Sequence, residues 1–335
     1  MALITQDGGN SGGFLQTPGV RTTVMVTLAV IVMVGCGAKQ STRGSAAPDG
    51  PGFPITVTDA QGVQITVAAP PVRIVSAAPA VTEILFALRA GDRVVAVTDH
   101  CNYPPQAARL PKIGGFWTPS VERALGARPD LVIGSRGNPP DFVAALRRSG
   151  LPVMTVDPHT LRDIYDTITR VANLIGAGES GERLIASMQS RLKAVSERIG
   201  DVPAKERPTA FLVLQVMPPW TAGAGTFQDD AIRSAGAVNI ASDLKGFAAY
   251  STETLVARDP GYLLLSTMDG DRGRMKTEVM GNPVLRQLSA VKRGRMLVLE
   301  SDPLMRAGPR IVDAVEAMAR GFYPDRFAAT PAQRD

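Results

Sequence analysis

The chain has 335 residues, 44% of them hydrophobic and 20% charged, which is enough for two domains that each bury a core. The net charge is +5, but Lys and Arg alternate with Asp and Glu instead of massing on one stretch, which excludes a nucleic-acid footprint. Aromatic residues make up only 5%, so those that fall in loops stand out as candidate ligand contacts.

At the N-terminus, Arg21 precedes an apolar run from Val24 to Val34, followed by Gly35, Cys36 and a polar stretch rich in Gly, Ser and Pro. The run is about half of what a helix needs to cross a bilayer, so an export signal over residues 1–35 is favoured over a permanent span. Met33-Val34-Gly35-Cys36 resembles the bacterial lipobox, in which the Cys is lipidated and becomes the first mature residue. Residues 36–52 then form a flexible tether, and the protein is expected outside the cytoplasm, anchored by lipid at the membrane face. With Cys36 lipidated, Cys101 is the only remaining thiol and no intrachain disulfide is possible.

Phe53 to Thr58 and Val63 to Ala68 alternate apolar and polar residues about Asp59-Ala60-Gln61-Gly62, the pattern of a β-hairpin. Short β-branched runs at Arg73–Ala78, Arg93–Thr98, Asp130–Ser135 and Pro152–Asp157 alternate with helical stretches at Val81–Leu88, Ser120–Ala127 and Pro139–Arg148. That alternation predicts a parallel sheet covered on both faces. From Leu161 the period becomes helical through Ile175, with Gly176 placed to stop the helix. A longer helix starts near Glu179, carries Leu184, Met188, Leu192, Val195 and Ile199 on one face, and ends at Gly200. Strands resume at Thr209–Val216, Tyr262–Ser266 and Met296–Glu300, between helices at Asp229–Ala235, Thr252–Ala257, Pro283–Leu288 and Gly308–Arg320. The expected fold is α/β, with two Rossmann-like lobes of parallel sheet bridged by one long α-helix. The lobes span residues 53–160 and 207–328, and the bridging helices 161–206.

The two lobes share a faint repeat. Ser120-Val121-Glu122 and Ser251-Thr252-Glu253 each open a helix that runs to a Pro and then a strand. Ser caps the free amides of a helix start and Glu meets the positive end of its dipole, so capping alone accounts for both glutamates.

Gly176-Ala177-Gly178-Glu179-Ser180-Gly181 spells a dinucleotide fingerprint but lies between two helices, where no strand can turn under a pyrophosphate. No Gly-x-Ser-x-Gly elbow, Walker loop or His-Glu-x-x-His occurs, and His100 and His159 are the only histidines. Catalysis is therefore not expected. Asp99-His100-Cys101 follows a strand end; it reads either as a solvated His beside a buried Cys or as part of a metal site, the latter being the one route to a lipid-anchored metal-dependent enzyme. Tyr103, Phe116, Trp117, Trp220, Phe247 and Tyr250 lie in loops beyond predicted strands, as a cleft for a large flat ligand requires.

Arg73-Ile74-Val75-Ser76 through Pro79 to Thr82-Glu83, Cys101-Asn102-Tyr103-Pro104-Pro105, Met217-Pro218-Pro219-Trp220 and Ser301-Asp302-Pro303-Leu304-Met305-Arg306 resemble the periplasmic binding proteins of cobalamin and iron-chelate ABC importers, the cobalamin-binding members above all. The resemblance implies two lobes on a helical backbone, a shallow ligand cleft and little hinge closure. It also implies a monomeric receptor that hands its small-molecule ligand to an ABC permease and its ATPase. Matched residue by residue, Tyr103, Phe116 or Trp117, Trp220, Phe247, Asp302 and Arg306 fall at positions that hold the corrin and its side groups, and Glu122 and Glu253 at acidic positions that dock on permease arginines. Leu214 and Ser135 stand where the cobalamin-binding members carry aromatics, which leaves haem and iron-siderophores as alternative ligands.

Overall fold

The computed structural model describes residues 52–266 and 272–328. The expected export signal over residues 1–35, Cys36 and the expected tether through residue 51 lie outside the described residues.

Strands β1 (Ile55–Thr58) and β2 (Gln64–Val67) pair antiparallel as the expected hairpin. The first lobe follows as β3 (Ile74–Ser76), α1 (Pro79–Ala87), β4 (Val94–Val97), α2 (Pro105–Ala108), α3 (Val121–Gly126), β5 (Leu131–Ser135), α4 (Pro140–Arg148) and β6 (Val153–Val156). Its sheet has the order β4-β3-β5-β6 and is parallel throughout. β3 and β6 are buried along their whole length, Ser76 and Thr155 included, which is why neither alternates apolar with charged residues.

Asp59, in the hairpin turn, pins the hairpin to this lobe. Its fully buried carboxylate accepts from the amides of Gln61 and Val63, from Thr155 Oγ1 at 2.6 Å and from Arg147 Nη2 at 2.6 Å. Burial alone would raise its pKa; the bonds from Thr155, Val63 and Gln61 outweigh that and hold it below the ordinary carboxylate range.

Two helices bridge to the second lobe. α5 (Leu161–Leu174) opens on a capping box, Thr160 Oγ1 accepting from the Asp163 amide and Asp163 Oδ2 accepting from the Thr160 amide. Gly176 takes a φ of +70° in the turn to α6 (Gly178–Ile199), whose 22 residues make a rod of roughly 33 Å. Of the dinucleotide-like glycines, Gly176 thus lies in the turn between the helices, and Gly178 and Gly181 lie in the first turn of α6.

The second lobe comprises β7 (Thr209–Val213), β8 (Trp220–Ala222), α7 (Phe227–Ser234), β9 (Val238–Asn239), β10 (Phe247–Ala249), α8 (Thr252–Arg258), β11 (Tyr262–Leu265), α9 (Arg272–Gly281), α10 (Ser289–Lys292), β12 (Met296–Val298), α11 (Ser301–Met305) and α12 (Ile311–Phe322). The sheet β12-β11-β7-β9 is parallel, and β8 and β10 form a separate antiparallel ribbon. The helix expected over Pro283–Leu288 is a single 3-10 turn at Leu285–Gln287, because Leu288 turns extended (ψ 142°) before α10 begins.

One expectation needs correction: the lobes do not each bury a wholly separate core. A continuous apolar cluster runs from Ile74 and Ile84 of the first lobe through Ile164, Ile168 and Met188 of the bridging helices to Leu212, Ile232 and Val315 of the second. Smaller clusters lie on the outer side of each sheet, around Phe211 and Leu263 and around Val75 and Val132. The bridging helices are apolar toward both lobes, so they fuse the cores and oppose a wide hinge motion.

Candidate ligand-binding cleft

The carboxyl ends of the two parallel sheets, where α/β folds carry their ligands, face a cavity of about 290 Å³. One wall is Pro79 after β3, His100 after β4, Phe116 and Trp117, Ser135 at the end of β5 and Asp157 after β6. The other is Phe227 at the start of α7 and the segment Ser301–Ala307 after β12.

Phe116 and Trp117 meet edge to face with centroids 5.2 Å apart, and His100 lies 5.8 Å from Trp117 in the same manner. Phe116 is half-buried, its carbonyl held by Asn138 Nδ2 at 3.0 Å. A Cβ at Gly137 would come within 2.8 Å of the tip of its ring, so a larger residue there would have to displace Phe116. Trp117 is exposed and presents its ring to the cleft.

A cross-lobe polar cluster closes the cavity on the side of the Tyr103 loop. Arg306 Nη1 donates to Glu83 Oε1 at 2.9 Å and to Asn102 Oδ1 at 2.8 Å, and Nη2 donates to the His100 carbonyl at 3.2 Å. Arg306 pairs with Asp302 at 2.8 Å, and Asn102 Nδ2 donates to Asp302 at 3.1 Å. Arg310 makes two bonds to Glu83, at 2.9 and 2.6 Å, and its guanidinium lies 3.9 Å above the ring of Tyr103. Burial disfavours the charged form of Arg310, but the bonds and charge of Glu83, with Asp302, prevail and raise its pKa.

The structure therefore brings Phe116, Trp117, Asp302 and Arg306 together around one cavity. Tyr103 lies across the polar cluster, lining a neighbouring cavity of about 690 Å³ against Leu184, Met188 and Arg191 of α6. Trp220 and Phe247 open the strands of the β8–β10 ribbon instead of lying in loops; both are exposed, at the carboxyl end of β7, outside the lining of the 290 Å³ cavity. Tyr250 belongs to the core: its ring packs edge to face on Phe211 and its hydroxyl donates to the Ile240 carbonyl. Glu83 was not singled out from the sequence as a site residue. The available signal was a Glu in a helix, Pro79–Ala87, whose only other polar residue is Thr82.

Glu122 and Glu253 are exposed in the first turns of α3 and α8, each behind its capping serine: Ser120 Oγ accepts from the Arg123 amide at 3.1 Å and Ser251 Oγ from the Thr254 amide at 3.3 Å. Cys101 is buried, with its sulfur 3.1 Å from the hydroxyls of both Thr82 and Thr98, while His100 is exposed to the cleft.

Residues 74–303 match the periplasmic binding protein family. The chain belongs to that family. It is 30% identical over 306 residues to YvrC, an ABC transporter substrate-binding lipoprotein of Bacillus subtilis, covering 90% of this chain and 96% of that protein. The vitamin B12-binding protein of Vibrio cholerae is 31% identical over 250 residues, covering 74% of this chain and 87% of its own sequence, and its crystal structure superposes with a TM-score of 0.62 over 77% of this chain and 99% of that one. The periplasmic haem-binding protein RhuT of Roseiflexus is 30% identical, with a TM-score of 0.67 over 76% of this chain and 98% of its own. This periplasmic binding protein is thus a solute-binding component of an ABC transporter, with a permease, an ATPase and a small-molecule ligand as partners. The family and these relatives are binding proteins, which overturns the alternative of a metal-dependent enzyme at His100 and Cys101.

Proposed function

We propose that this chain captures cobalamin or a related corrinoid in the interlobe cleft and delivers it to its permease while anchored by lipid at Cys36. Residues 53–160 and 207–328 act as the two lobes, bridged by 161–206 and held to the membrane by the tether 36–52. The observation that carries this reading is the charge balance of the cleft rim. Among the described residues lining the cavity Arg306 is the sole guanidinium, and Glu83 and Asp302 already neutralise it. Asp157 is likewise paired with Arg136 at 3.2 Å. Such a rim suits an uncharged ligand bearing amides, which both donate and accept as Asn102 does, better than one bearing carboxylates.

The corrin stacks on Trp117, and its periphery reaches Asp302, Arg306 and Tyr103 on one side and the Trp220 and Phe247 ribbon on the other. The cavity as it stands is near the lower bound of roughly 300 Å³ for pockets that bury drug-sized ligands, so a corrinoid parts the rim and stays partly exposed. Glu122 and Glu253, one per lobe, dock on basic patches of a two-fold permease. The similarity to the Vibrio B12-binding protein supports this reading. The second reading is haem or an iron-siderophore, favoured by His100, whose imidazole faces the cleft and can ligate a metal, and by the similarity to RhuT. Equilibrium dialysis against cyanocobalamin and haemin separates the two: retention of one corrinoid per chain is expected, and retention of haemin alone overturns the proposal.

A further inference from the structure

Glu83 sits in an otherwise apolar helix with its side chain 2% exposed, in a position where an isolated carboxylate would be strongly disfavoured. All its ionic partners come from the other lobe. Arg306 donates one bond and Arg310 two, and both guanidiniums are themselves largely withdrawn from water, at 13% and 15% exposure. Asp302 lies 2.8 Å from Arg306 and 3.9 Å from Arg310. Two cations therefore meet two anions, and the cluster at the cleft edge is neutral. Removing Glu83 alone would leave two guanidiniums against one carboxylate in a poorly solvated place, a net charge of one beside the ligand.

We propose that Glu83 is a positioning residue that sets ligand selectivity: by neutralising and aiming Arg306 and Arg310 it makes the cleft prefer an uncharged, amide-bearing macrocycle to the same macrocycle carrying a carboxylate. The proposal rests on the corrinoid reading of the cleft. Selectivity here comes from withholding a free cation, so a carboxylate that enters loses its hydration and finds no uncompensated partner.

The test is the ratio of dissociation constants for cyanocobalamin and its monocarboxylic acid derivative, in which one side-chain amide is hydrolysed, measured on the purified full chain. The wild type is expected to prefer the amide. Glu83→Gln, nearly isosteric, shifts the ratio toward the acid by about tenfold, the scale of one net charge roughly 12 Å away at an effective dielectric near 20. Arg310→Gln leaves the cluster one charge negative and shifts the ratio the opposite way, and the double variant Glu83→Gln with Arg310→Gln returns it to the wild-type value. A purely structural role for Glu83 predicts no such reversal of sign. If Glu83→Gln fails to fold, the opposite shift in Arg310→Gln and the wild-type ratio of the double variant still decide the matter. Ratios within about twofold of wild type in all variants overturn the role of Glu83 while leaving the corrinoid reading intact. A wild type that binds neither corrinoid overturns that reading and this inference with it.

Discussion

Asn102 and Asp302, 200 residues apart in the chain, meet across the two lobes: the Asn102 amide nitrogen donates to Asp302 Oδ2 at 3.1 Å while its carbonyl oxygen accepts from Arg306 at 2.8 Å. Both contacts are exposed and lie where a ligand must enter. Asn102→Ala is therefore expected to lower stability by no more than about 1 kcal/mol, the net worth of solvated hydrogen bonds. It should weaken corrinoid binding by a similar amount, because the amide partner is lost. Urea denaturation and ligand titration of the same variant measure the two effects separately.

The cleft tryptophans divide by their surroundings. Trp117→Ala should weaken corrinoid binding by about 1 to 3 kcal/mol, the range for an aromatic anchor, with the melting temperature of the free protein nearly unchanged because the ring is 59% exposed. Trp220→Ala, on the ribbon beyond the cavity lining, should cost binding less than Trp117→Ala. Titration of both variants ranks them; equal losses would mean that Trp220 anchors the ligand as firmly as Trp117 does.

Asp59 gives a pH-dependent prediction. Its folded-state pKa lies below the unfolded value, so its contribution is fully present above that value and is lost as pH falls through the folded one. Asp59→Asn should cost roughly 2 to 3 kcal/mol at pH 7, somewhat under the loss for a fully buried pair because Arg147 stays a quarter exposed. The gap between wild type and variant should narrow below about pH 4, near the reference carboxylate pKa. Chemical denaturation at pH 7 and pH 3 checks both statements.

Much of this architecture is legible in the residue pattern. Continuous apolar runs such as Leu131–Gly134 mark buried parallel strands, and the spacing of Leu184, Met188, Leu192, Val195 and Ile199 marks the long helix. The β8–β10 ribbon escapes because three-residue strands are too short for alternation to register. α9 escapes because only Met275 and Val279 of Arg272–Gly281 face the core, and α11 because Pro303 sits inside it. Asp302 and Arg306 are legible as a pair four residues apart. That Arg306 turns toward Glu83 is not, since the contact joins residues 223 apart and depends on how the lobes pack.

The paired glutamates test the permease interface. Glu122→Lys with Glu253→Lys should leave corrinoid affinity unchanged and abolish uptake in cells, since like charges then face each other at the docking surface. If the two residues act only as helix-dipole partners behind Ser120 and Ser251, uptake stays normal and stability falls by about 0.3 to 1 kcal/mol per site.

The most direct measurement of the central claim is isothermal titration of the purified chain with cyanocobalamin and, separately, with haemin. Saturable one-to-one binding of cyanocobalamin, stronger than that of haemin, is the predicted result. No heat with cyanocobalamin alongside tight haemin binding would contradict it and assign the cleft to an iron chelate.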